Sequence, residues 1–140
     1  MSAKTISIGS PLDLILVGRL REVYWGSVAQ SWTEARVRCA PPQSAYLDVD
    51  QRTPEWDLGR VHHFVQLLEA RQELDPIVID SRVYGLSWGP PFVWDGHHRF
   101  VAAVLVRRRR ILASCGGLVT SIEWLTGERR RDRRPPEITG

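Results

Sequence analysis

Apolar and polar positions change period along this chain, and each change predicts an element. Thr5-Ile6-Ser7-Ile8 alternates as an entering strand does, and Leu14 to Arg21 fits a short helix or a strand. Ala35 to Cys39 alternates small or apolar residues with arginines and predicts an edge strand, ended by Pro41-Pro42, which removes ladder donors. Ala45 to Asp50 alternates again and predicts a second strand, followed by a turn over Gln51 to Pro54. From Trp56 the period becomes helical. Leu58, Val61, Phe64, Val65, Leu67 and Leu68 share one face, with Arg60, His63, Gln66 and Arg71 on the other, to about Gln72. The residue before Pro76 leaves the helical region, so Ile77-Val78-Ile79 begins a buried strand.

Ser81 to Pro91 is rich in Gly and Pro and reads as a connection into the short apolar run Phe92-Val93-Trp94. Asp95 is placed to cap a helix beginning at Gly96 or His97, apolar from Phe100 through Val106. Ile111 to Cys115 is the next strand, broken by Gly116-Gly117, and Leu118 to Leu125 a final helix stopped at Thr126-Gly127. This succession predicts the α/β (α+β) class. One domain is expected over 1–127, its core at 58–125, with a basic, flexible tail at 128–140. Such a 140-residue chain is long enough to bury a core without a metal or disulfide staple.

Charge sharpens the picture by position. From Arg99 to Arg134 there are ten arginines against Glu123, Glu128 and Asp132, and Lys4 is the only lysine. Planar guanidiniums suit bidentate phosphate contact, so a polyanionic partner competes with the plain alternative of a solvated helix face. The arginine runs at Arg107, Arg108, Arg109 and Arg110 and at 129–134 are candidate trackers of a nucleic-acid backbone. Of six tryptophans most are expected in the core, with Trp88 the candidate for exposure as a base-stacking surface. No apolar run approaches a bilayer's thickness. Cys39 and Cys115 lack metal-site spacing, so a cytoplasmic chain with two reduced thiols is expected.

The densest chemistry lies in Trp94-Asp95-Gly96-His97-His98-Arg99, a strand, a glycine turn and a polar helix start. A helix N-terminus attracts anions through its unpaired amides and dipole, Gly96 presents no Cβ, and His97, His98 and Arg99 add donors. His98 and Arg99 are favoured for phosphate contact over His97. Asp95 is a cap, or alternatively a Mg²⁺ ligand or a group orienting a histidine. His62, bordering the apolar stripe, reads as a packed histidine.

Asp75-Pro76-Ile77-Val78-Ile79, Tyr84, and Asp95-Gly96-His97-His98-Arg99 with Ala102-Ala103 resemble the ParB/sulfiredoxin superfamily over about Leu58 to Leu125. The motif departs from the G-E-R-R of partition proteins and the G-C-H-R of sulfiredoxins and is nearer to members with D-G-H-x-R. With His97 where sulfiredoxins carry their cysteine, sulfinic acid reduction is not expected. The chain has no room for a partition protein's helix-turn-helix and dimerisation domains; small plasmid-borne fertility-inhibition proteins resemble it better in size and basic character.

The resemblance implies a small mixed sheet flanked by helices and nucleotide phosphates, of ATP or CTP with Mg²⁺, held at Gly96, His97, His98 and Arg99. It also implies triphosphate hydrolysis, with DNA cleavage as a related activity, and a setting on plasmid or mobile-element DNA. Glu69, on the helix before the Pro76 strand, is nominated to activate water, beside His98 and Asp95; otherwise Glu69 and Glu73 lie on a solvated face. The competing expectation is a non-catalytic regulator that binds DNA or a protein partner and uses the phosphate site as a switch.

Overall fold

The computed structural model describes residues 5–6, 12–83 and 87–139. In chain order it runs β1 (Thr5–Ile6), β2 (Asp13–Leu16), α1 (Val17–Val23), α2 (Ser27–Ser31), α3 (Glu34–Cys39), a 3-10 turn at Val49–Gln51, and α4 (Pro54–Glu69). Then follow β3 (Ile77–Val83), β4 (Ser87–Asp95), α5 (His97–Leu105), β5 (Arg110–Cys115), β6 (Gly117–Leu118), α6 (Val119–Thr126) and α7 (Pro136–Thr139). The class is α+β. The chain divides into two compact units, one of Met1–Tyr24, Asp75–His97 and Arg109–Gly140, the other of Trp25–Leu74 and His98–Arg108. None of the described helices is long and apolar enough to cross a membrane.

The first unit holds a four-stranded mixed sheet in the order β2-β5-β3-β4. β5 runs antiparallel to β2 and parallel to β3, and β3 pairs antiparallel with β4 through two register shifts. Period-two alternation places Ile15, Ile77, Ile79, Val93, Ala113 and Cys115 in the core. α1 and α7 pack on β4 and α6 on β2, adding Val17, Leu20, Ile122, Trp124, Leu125 and Ile138. The strand expected at Ile77–Ile79 continues to Val83, and β4 begins at Ser87. Most of the expected Ser81–Pro91 connection is therefore sheet, since the edge position of β4 tolerates Pro90 and Pro91.

Residues 128–139 are bonded to this unit. Arg129 pairs with Glu123 at 3.3 Å, Arg131 and Arg134 pair with Glu22, and Arg134 lies over the Trp124 ring at 5.1 Å. Arg19 donates to the carbonyls of Trp124 and Arg129, both at 2.6 Å.

The second unit contains α2, α3, α4 and α5 from His98 onward. Thr53 caps α4 by accepting from the Trp56 amide at 3.1 Å, and Pro54 occupies the first turn, so the helix starts two residues before the expected Trp56. It closes with Gln72 N–H to Leu67 O at 2.9 Å and Arg71 N–H to Leu68 O at 3.0 Å, with Arg71 left-handed at φ 59°. α5 closes in the same way, Arg108 N–H to Ala103 O at 2.9 Å and Arg107 N–H to Val104 O at 3.1 Å, with Arg107 at φ 60°.

Two expected strands are absent. Residues 35–39 lie in α3, capped by Thr33 and braced by Arg38–Glu34 at 3.0 Å; of the alternating apolar residues only Val37 is buried. Residues 45–50 hold a 3-10 turn, and Tyr46 and Val49 remain 66% and 75% exposed, without a partner strand to cover them.

Candidate functional site

The chemistry gathers in the second unit at the start of α4. Asp57, in the first turn of that helix, accepts a 2.7 Å hydrogen bond from His98 Nε2. Trp32 stacks nearly parallel on the imidazole, centroids 5.1 Å apart at 14°, and Trp56 meets it edge-on at 5.5 Å and 80°. The His98 side chain is 15% exposed and that of Asp57 26%, so the pair is sheltered yet reachable.

Burial lowers the His98 pKa below the ordinary 6.5; Asp57 opposes the shift, and Arg52 and Arg60 reinforce it. At neutral pH the ring is therefore mostly neutral. Its Nε2 proton is held on Asp57, which puts the basic lone pair on Nδ1.

The charges of Arg52 and Arg60 act on the imidazole. Arg52 lies 5.0 Å over the Trp56 ring, Arg60 lies 6.0 Å from the same ring and 4.6 Å over Phe64, and Arg99 is close enough to weigh on Arg60. Burial first, then repulsion from Arg99 and Arg52, lowers the Arg60 pKa from its ordinary value. Like charges held together in this way favour an anion among them. A neutral imidazole base oriented by a carboxylate, with two guanidiniums acting on it, is suited to moving a proton beside a phosphate.

Sequence-nominated residues separate by unit. His98 and Arg99 belong to the cluster just described. Gly96 and His97 fall in the first unit. Gly96 has φ 96°, a left-handed value that lets the chain turn from β4 directly into α5, and His97 meets Tyr24 edge-on at 5.5 Å. Asp95 is the exposed last residue of β4, paired in register with Val78.

Glu69 does not meet His98. It takes a two-point ion pair from Arg38, at 3.1 and 3.0 Å, and lies twelve residues beyond Asp57 on α4, about 18 Å along the helix. The carboxylate at the histidine is thus Asp57. Among the described residues no three His, Cys, Asp or Glu side chains group as a metal site. A Mg²⁺ carried on phosphates needs only one or two carboxylates.

The four-arginine run is divided. Arg108 donates to Leu68 O at 3.3 Å and thereby serves the end of α4, while Arg110 donates to Leu14 O and Thr126 O at 3.3 and 2.8 Å in the first unit. Arg107 and Arg109 are exposed, the one in the second unit and the other in the first. The Trp88 side chain and Tyr84 lie outside the described residues; the exposed tryptophan among those described is Trp94, at 69%. His62 donates to Ala40 O at 2.6 Å, as a packed histidine does. Both cysteines are free, and burial pushes the Cys115 thiol up to about 12, which leaves it an inert core residue.

No family model, characterised protein or solved structure matches this chain. The reading of the site therefore rests on its own geometry. Asp57, Arg52, Arg60, Trp32 and Trp56 were not nominated from the sequence. Part of their signal was the four-residue spacing of Trp56, Arg60 and Phe64, which places rings and a cation in alternation along one side of α4, with Arg52 just before its cap.

Proposed function

We propose that the chain is a nucleoside triphosphatase, acting on ATP or CTP, in which His98 is the general base and Asp57 the group that orients it. The observation that carries this reading is the 2.7 Å His98–Asp57 pair with the charges of Arg52 and Arg60 acting on the imidazole. Hydrolysis of a phosphoanhydride needs charge neutralisation and a placed water more than covalent chemistry. His98 accepts a proton from water as the water oxygen bonds to the terminal phosphorus. The bond from phosphorus to the bridging oxygen breaks, and the diphosphate leaves with its electron pair. The guanidiniums offset charge on the phosphoryl oxygens.

Mg²⁺ is the cation such a substrate would bring, and bound to the phosphates it would neutralise part of their charge. The resemblance of Asp95–Arg99 to the ParB/sulfiredoxin motif supports the same substrate class. Cleavage of a DNA phosphodiester would use the same base and guanidiniums.

The test is phosphate release from ATP and CTP with Mg²⁺. The wild type should turn over one of them, and His98→Gln should lower the rate by about a hundredfold or more while the far-ultraviolet spectrum stays unchanged. Inactivity of the wild type on both nucleotides, with folding intact, would leave the non-catalytic regulator as the reading.

A further inference from the structure

The segment before α4 and the helix itself carry a further arrangement, which shares Arg52 and Arg60 with the proposed phosphate site. Tyr46, Arg52, Trp56, Arg60 and Phe64 form a continuous row in which rings and guanidiniums alternate. Arg52 lies 5.1 Å from the Tyr46 ring and 5.0 Å from Trp56, and Arg60 lies 6.0 Å from Trp56 and 4.6 Å from Phe64. Backbone carbonyls fix the cations. Arg52 Nε donates to Leu47 O at 2.9 Å, and Arg60 Nη1 donates to Ser44 O at 2.6 Å and Gln43 O at 3.2 Å. A guanidinium has five N–H donors, so these bonds orient each fork and leave Nη donors of Arg52 and Nη2 of Arg60 for a phosphate.

Tyr46 heads the row and is 66% exposed although it is aromatic, while Trp56 within the row is 7% exposed. A large ring held by a cation on one side and open to solvent on the other is a surface on which a planar base can stack.

We propose that this row is a binding surface for single-stranded nucleic acid, with a base stacked on Tyr46 and phosphates at Arg52 and Arg60. Charge complementarity selects a polyanion, and the alternation of ring and cation matches the alternation of base and phosphate along a strand. A duplex keeps its base faces inside the stack and offers none to Tyr46. Arginine rather than lysine throughout the row suits both stacking on rings and forked phosphate contact. This inference does not depend on hydrolysis, since strand binding is read without turnover.

The experiment is fluorescence anisotropy of a labelled oligothymidylate with the full chain, across a salt series. The wild type should bind the strand more tightly than a duplex of equal length, with affinity falling steeply as salt rises. Tyr46→Ala should weaken strand binding about tenfold and leave triphosphate hydrolysis unchanged, while Tyr46→Phe should restore wild-type affinity. Arg52→Gln should weaken binding and flatten the salt dependence. The proposal is overturned if Tyr46→Ala binds the strand as the wild type does, if the duplex binds as tightly, or if only mononucleotides bind. Loss of hydrolysis in the wild type with these binding results intact would remove the triphosphatase reading alone.

Discussion

At the scale of single residues the account turns on protonation. His98 acts as a base only when neutral, and its pKa lies below 6.5 because burial outweighs the pull of Asp57. Hydrolysis should therefore be level from neutral pH upward and decline as pH falls through that lowered value. Asp57→Asn removes the group that raises the pKa, so the acid limb should move to lower pH. The rate should also drop by about a hundredfold or more as the ring loses its fixed tautomer. A pH–rate profile of both proteins checks the two effects together.

The same shift reaches stability. An unfolded His98 binds its proton at higher pH than the folded one, so its contribution is complete above about 6.5 and is lost as pH falls through the folded value. Urea midpoints measured against pH should fall on the acid side, and His98→Phe, which keeps the stacking on Trp32, should flatten that fall. Arg71 gives an independent prediction. It is exposed and left-handed at a helix end where glycine is the usual occupant, so Arg71→Gly should raise stability by about 0.5–1 kcal/mol in chemical denaturation.

Among elements, close approaches decide more than propensity does. A Cβ on Gly59 would collide with the Pro41 carbonyl and crowd Gln43, whose N–H bonds to Gly59 O at 2.9 Å. Helix propensity favours Ala over Gly by about 1 kcal/mol. Overpacking costs about 1–3 kcal/mol, so Gly59→Ala should be destabilising on balance by denaturant melting. The C-terminal arginines show the opposite economy of scale: their pairs with Glu22 are exposed on the arginine side and contribute about 0–1 kcal/mol. Glu22→Gln should leave the melting temperature nearly unchanged while trypsin cuts after Arg131 sooner.

Elements were legible where one pattern persisted. α4 shows its apolar stripe over several turns, and β3 announces itself by the buried β-branched Ile77 and Ile79. α3 did not, because six residues make fewer than two turns, and Ala35, Val37 and Cys39 imitate a strand's alternation. Local pattern also did not show which carboxylate meets His98. Glu69 has the right type on the right helix, but the contact between Asp57 and His98 joins residues 41 apart, which only packing specifies. His98 and Arg99 could be nominated because glycine, imidazole and guanidinium lie together in the chain.

At the scale of the molecule, 140 residues carry a net charge of +3, too small for bulk attraction to hold a polyanion firmly. Binding has to come from local arrangement. The arginines at 129–134 include three engaged with Glu123 or Glu22, and Arg108 and Arg110 serve helix ends, so the runs that stand out in the sequence are partly structural. The cations of the second unit instead sit against aromatic rings and around a histidine. The most direct measurement of that arrangement is the NMR titration of the His98 ring, alone and with a saturating non-hydrolysable triphosphate and Mg²⁺. Burial is the main cause of the lowered His98 pKa, with Arg52 and Arg60 adding to it; phosphates beside these guanidiniums would offset their part, so the bound value should rise above the free one. A His98 titration that is identical with and without the nucleotide would contradict the phosphate site.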